Sequence, residues 1–387
     1  MNITTFFVLT TSIFIAMLSH GLVMPLLPIY ANTLGASNVE LGFIAAGSSF
    51  ASLTLMPFIG AWSDKYGRKI FITVSLALMT SAVFLMSRAE NALDLIALRC
   101  MQGVATSMLF PVAQALLGDM IPHGQEGRWM GYFNGAVWGG LGLGPLFGGS
   151  INDLLNMQAV FYITASMMFI SFLISLFFLR VEPSKKSTGP RPSLLRGFKN
   201  KTLIGISLLQ IGMGLTMGAS LVFLPLLGHV ELALSTTLVG IILAIRTPIS
   251  MLQGWVGKMA DRFGPFRLVM IGGLINAAAF FLLPWSIGFW SLLMLHALLA
   301  LGTTIVQPAA SIFLIKEGRH VGMGIAMSIS MMATQVGMGI GPILMGNIVE
   351  RTTLTGGFTS IAVLSLIATV AFILQLYKSH GKQSVKQ

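Results

Sequence analysis

Charged side chains cut this chain into long apolar stretches. No Asp, Glu, Lys or Arg interrupts residues 1–39, 41–63, 70–87, 100–118, 129–152, 154–179, 202–230, 320–349 or 352–377. A helix needs roughly 20 apolar residues to cross a bilayer, so most of these stretches predict one span each. Residues 268–315 hold two, turning at Pro284-Trp285-Ser286-Ile287-Gly288. The stretch 232–257 adds one more, interrupted only by Arg246. The pattern predicts twelve spans. All should be helical, because lipid offers the backbone no hydrogen bonds and each segment must satisfy its own. Strands of a membrane barrel would instead alternate in segments of about 10 residues.

The polar interruptions repeat. GAWSDKYGRK at 60–69 returns as GKMADRFGPFR at 257–267, with Gly60, Asp64 and Gly67 each 197 residues before Gly257, Asp261 and Gly264. The same offset carries Gly21 to Gly218, Pro28 to Pro225, Pro111 to Pro308, and Gly144, Pro145 and Gly149 to Gly341, Pro342 and Gly346. The expected fold is an all-α membrane protein of two six-helix bundles, related by a parallel pseudo-twofold axis along the membrane normal. The bundles are placed at 1–180 and 201–380, with a basic, Pro- and Ser-rich linker at 181–200 and a short cytoplasmic tail at 381–387.

Composition agrees. Only 9% of residues are charged and 55% are hydrophobic, against about 25% charged in soluble domains. The net charge of +11 would suit a polyanion, but 19 of the 23 Lys and Arg fall on one side of the predicted spans. That is the positive-inside bias. It places both termini in the cytoplasm and the chain in a plasma membrane, such as a bacterial inner membrane, surrounded by lipid and with no nucleic-acid partner. Cys100 is the single cysteine, so no disulfide or thiolate metal cluster is expected. No zinc spacing or Walker sequence occurs, and no metal, cofactor or ATP-driven step is anticipated. The N-terminal stretch lacks a basic n-region and a cleavage site and is read as a retained first span.

Three motifs then bear on family. Gly60, Asp64, Lys65, Gly67, Arg68 and Lys69 match the loop 2–3 signature G-x-x-x-D-R/K-x-G-R-K. Arg99, Gln102 and Gly103 match a span 4 motif, and Gly140, Gly144, Pro145, Gly148 and Gly149 match the span 5 motif G-x-x-x-G-P-x-x-G-G. Over essentially its whole length the chain resembles the major facilitator superfamily, and within it the twelve-span drug:proton antiporters. The resemblance implies a transporter and not an enzyme, working by rocker-switch alternating access. It implies a cytoplasmic gate in which Asp64 and its neighbours, with Asp261 in the second copy, meet the positive end of another helix near His320. Spaced glycines allow helices to pack backbone to backbone in lipid, and Pro145 and Pro342 bend their helices. Gly140, Gly144, Pro145, Gly148, Gly149, Gly341 and Pro342 are therefore read as packing and flexing elements.

The candidate substrate or proton pathway rests on rare polar groups within spans. Arginines in mid-span face a bundle interior or a wet cavity. Arg99 either pairs with Asp94 or lines a cavity; Arg246, before Thr247 and Pro248, either binds carbonyls freed by the proline or faces substrate. His20 and His296 titrate near neutral pH and either carry protons or pack. Gln102, Asn134, Gln210, Gln307 and Gln335 either line the cavity or clip helices together. All twelve acids lie at span ends or in loops, so no mid-membrane carboxylate is evident. The leading expectation is a monomeric, proton-coupled exporter of small amphipathic compounds or drugs. The alternative is a facilitator or symporter for a small organic anion or metabolite. An intramembrane enzyme would require a clustered nucleophile and base, which the sequence does not show.

Overall fold

The computed structural model describes residues 3–120, 126–180 and 200–381. The proposed linker, apart from Asn200, and the last six residues of the chain lie outside this set. Every regular element among the described residues is helical. They are α1 (Ile3–Val23), α2 (Leu27–Thr33), α3 (Asn38–Tyr66), α4 (Arg68–Met86), α5 (Ala92–Met120), α6 (Glu126–Leu154) and α7 (Met157–Phe178). They continue with α8 (Lys201–Leu226), α9 (Thr236–Ala244), α10 (Arg246–Ser250), α11 (Gln253–Phe263), α12 (Pro265–Leu282), α13 (Phe289–Val321), α14 (Met323–Arg351) and α15 (Leu354–Gly381).

Ten helices or joined helices among the described residues are long and apolar enough to cross a membrane. The α9–α11 segment, bent by 44°, makes an eleventh. The 29-residue α6 stands outside that count, because its many glycines dilute its apolar character. With it, the order of helices follows the expected twelve spans. The 44° bend falls at Met251–Leu252, between α10 and α11; a separate interruption lies upstream, where Pro248 lacks an N–H and its ring collides with the carbonyl four residues earlier. The helix breaks at Ile245, and Arg246 becomes the first residue of α10.

Two compact units form. The first contains α1–α7 and α9; the second contains α8 and α10–α15. Each is held by glycines set against backbone. In the first, α1 lies on α6: a Cβ at Gly21 would meet the Leu141 carbonyl at 2.8 Å, and one at Gly140 would meet the Phe14 carbonyl at 2.7 Å. In the second, α8 lies on α14 in the equivalent way, Gly218 against Met338 and Gly341 against Leu215. Lipid provides no hydrophobic drive between helices, so such close approach supplies the packing energy.

The paired turns use glycine differently. Gly67 ends α3 at φ 97° and Gly264 ends α11 at φ 85°, a region L-residues avoid. Nothing lies within 4 Å of a Cβ at either position. Here the residue supplies conformation and not close approach.

Candidate functional site

In the second unit, α8, α10, α12 and α13 bring polar side chains to one small cavity. Thr216 and Met217 reach it from α8, Arg246 from the break before α10, Asn276 from α12, and His296 and Leu299 from α13. The cavity leaves about 10 Å³ for the centre of a water molecule, roughly the room one water needs. The Arg246 guanidinium donates to the Met217 sulfur at 3.8 Å. His296 is 3% exposed and neither ring nitrogen has a partner. Asn276 is fully buried; its Oδ1 accepts from Thr216 Oγ1 at 3.2 Å, while its Nδ2 is unpaired. The single Thr216 hydroxyl hydrogen is shared with the Met213 carbonyl, 3.0 Å from Oγ1.

Arg99, in the first unit, is situated otherwise. It is buried, its Nε donates to the Ile44 carbonyl at 3.2 Å, and its Nη1 donates to Gln102 Oε1 at 2.9 Å. The first bond ties α5 to α3; the second lies within α5. Asp94 instead accepts from the Glu90 N–H at 3.0 Å, at the start of α5. His20 is half-buried on α1.

The intramembrane amides divide. Gln210 donates to Ser330 Oγ at 3.2 Å and accepts from Gln307 Nε2 at 3.5 Å, which links α8, α13 and α14. Asn134 on α6 and Gln335 on α14 are half-buried.

In the turn after α3, Arg68 Nη2 meets Asp64 Oδ1 at 3.3 Å, one helical turn apart, with Asp64 largely exposed. Lys65 lies 4.9 Å over the Tyr66 ring, and Lys69 is half-buried. The side chains at Gly60, Asp261 and His320 lie outside the described residues, as does that of Asp119. In the second copy Pro265 occupies the Arg68 position and opens α12, where a missing N–H costs nothing.

The span 5 motif has two faces. Gly140, Gly144 and Gly148 abut α1, whereas Gly149 and the Pro145 carbonyl abut Thr236 and Gly240 of α9. Beyond Gly149, Asp153 caps α9. It accepts from Thr236 N at 3.1 Å, Thr236 Oγ1 at 2.7 Å and Thr237 N at 2.7 Å. The carboxylate thus satisfies N–H groups that a helix start leaves open, at the positive end of the helix. Asp153→Ala should cost about 1 kcal/mol, read as a lower melting temperature of the purified protein. Asp153→Asn should lose less, since the amide keeps an accepting oxygen.

Sequence reasoning missed Asn276, Thr216 and the Asp153 cap. The signals existed: an amide within the charge-free stretch 268–315, and Ser235-Thr236-Thr237 opening an apolar run.

A family model described as Major Facilitator Superfamily matches residues 9–247 and 247–387. The multidrug resistance protein MdtG of Proteus mirabilis is 30% identical over 375 residues, covering 92% of this chain and 90% of that protein. The quinolone resistance protein NorA of Staphylococcus aureus is 25% identical over 351 residues, covering 88% of each. A solved bacterial homologue of the human lysosomal transporter Spinster shares the fold, with a TM-score of 0.80 over 96% of each chain at 14% identity. By its helices, its glycine-packed repeats and these matches, the chain belongs to the Major Facilitator Superfamily and is a multi-pass membrane transporter of small molecules.

Proposed function

We propose that this transporter exports small amphipathic compounds in exchange for protons. The carrying observation is the cavity of the second unit, where polar groups without partners stand beside apolar Met217, Leu299 and Ala300. Sites of that character are mostly apolar, with a few placed polar groups that orient the ligand. The names of the relatives, both resistance proteins, support an export direction. The charge bias of the loops supports cytoplasmic termini in a plasma membrane. One chain carries both repeats, which supports a monomer embedded in lipid as the working unit.

In this reading the two bundles rock about a midplane site and open it to each side in turn. Asp64, Lys65, Arg68 and Lys69 belong to the cytoplasmic gate, and the Gly-Pro elements at 144–145 and 341–342 flex. Protons ride on His20 and His296, the imidazoles within spans, and no acid among the described residues lines the cavity. That last observation also favours a second reading, a facilitator or symporter for a small organic anion.

Cells that express the protein should retain less of a fluorescent amphipathic dye than cells expressing Arg246→Ala at the same level. A protonophore should erase the difference. Retention that is equal in both strains, or a difference untouched by the protonophore, would overturn the exchange reading.

A further inference from the structure

We propose that the cavity of the second unit is the receptacle for an anionic end group of the transported molecule, with a carboxylate as the ligand class. This deepens the transport reading above and rests on it. A guanidinium carries five N–H donors and no acceptor. Among the described residues that of Arg246 meets a thioether at 3.8 Å, and a thioether is a weak acceptor. No Asp or Glu among the described residues lines the cavity to neutralise it. Arg246 is half-buried within a span, where a charge without a counterion is costly, so the site as it stands is electrostatically incomplete.

The neighbouring groups complete the match. Asn276 Nδ2 is buried without a partner among the described residues, while its Oδ1 shares the single Thr216 hydroxyl hydrogen with the Met213 carbonyl. His296 is buried with both ring nitrogens unpaired; a neutral imidazole offers one further N–H. Three side chains from three helices thus contribute unspent donors to one cavity. A carboxylate accepts about four hydrogen bonds over its two oxygens, and charge-assisted bonds are the stronger kind. A cationic or purely apolar group would leave the guanidinium and the amide unsatisfied.

Size narrows the assignment further. Space for about one water admits an end group and not a whole molecule, so the carbon skeleton must lie outside this cavity. Arg99 differs in that two of its five N–H groups are already given to the Ile44 carbonyl and to Gln102.

The test uses the purified full-length protein in a neutral detergent, so that no anionic lipid competes. Calorimetric titration compares naphthoate with naphthamide, which has the same ring and a neutral end. Naphthoate should bind at least about tenfold more tightly, the scale of hydrogen bonds to a charged group. Arg246→Gln should bring naphthoate down to the naphthamide level and leave naphthamide where it was. Equal binding of the two by the native protein overturns the receptacle, as does an undiminished acid preference in Arg246→Gln. Should that variant not fold, His296→Leu and Asn276→Leu replace it, and an unchanged preference in both has the same force. Absent discrimination with continued dye extrusion rejects the receptacle and keeps the transport reading. Discrimination without extrusion does the converse.

Discussion

Gly144→Leu will yield little folded protein. A Cβ at Gly144 falls on the backbone of Gly21 and Leu22 in α1, and neither helix has a side chain there that can turn aside. Overpacking an ordinary core costs about 1–3 kcal/mol through shifted side chains. Here the backbones themselves must separate along a helix pair that lipid does not push together. Gly144→Ala should already lower the melting temperature. Gly131→Ala, on the same helix with nothing within 4 Å of its Cβ, should be neutral or gain up to about 1 kcal/mol of helix stability. Fluorescence-detected size-exclusion of tagged variants reads both outcomes. A Gly144→Leu peak as tall and sharp as the native one would mean that α1 and α6 do not pack as described.

That helix pair also shows what could be read in the residues alone. Small residues spaced by four announce a backbone-to-backbone contact, and the 197-residue offset announces that it occurs twice. Spans follow from charge-free lengths, because the bilayer acts on each segment locally. The partners are another matter. Nothing in the spacing says that Gly148 faces α1 while its neighbour Gly149 faces α9, since that depends on which helices surround α6. Gly67 reads equally well as a close-packing glycine or a conformational one until its φ of 97° is seen. The two arginines posed the same difficulty. Each is a lone charge in an apolar run, and only packing reveals that one finds acceptors and the other does not.

Those arginines should respond oppositely to substitution, and this is the second large effect. Arg246→Gln removes a guanidinium that holds no other protein group in place beyond the Met217 sulfur. Its melting temperature should hold, while transport per folded molecule falls by about 10–100-fold, the range for lost hydrogen bonds to a charged ligand. Arg99→Ala strips donors from the Ile44 carbonyl and from Gln102, both within the first unit. A buried acceptor left unpaired, here Gln102 Oε1, costs about 1–3 kcal/mol, so this variant should melt earlier and lose transport in step with its loss of folded protein. The sequence alone left each arginine open between a structural role and a place in the substrate pathway. Melting curves and initial rates, normalised to folded protein, separate the cases. A stable but inactive Arg99→Ala beside a fully active Arg246→Gln would return the site to the first unit.

Proton exchange is the claim on which the rest depends. The most direct measurement places purified protein in liposomes with a trapped pH-sensitive dye and adds amphipathic compounds of positive, neutral and negative charge. Substrate-driven proton movement, greatest for a carboxylate and lost in Arg246→Gln, is the expected result. Entry of the same compounds with no movement of protons would contradict it and leave a facilitator.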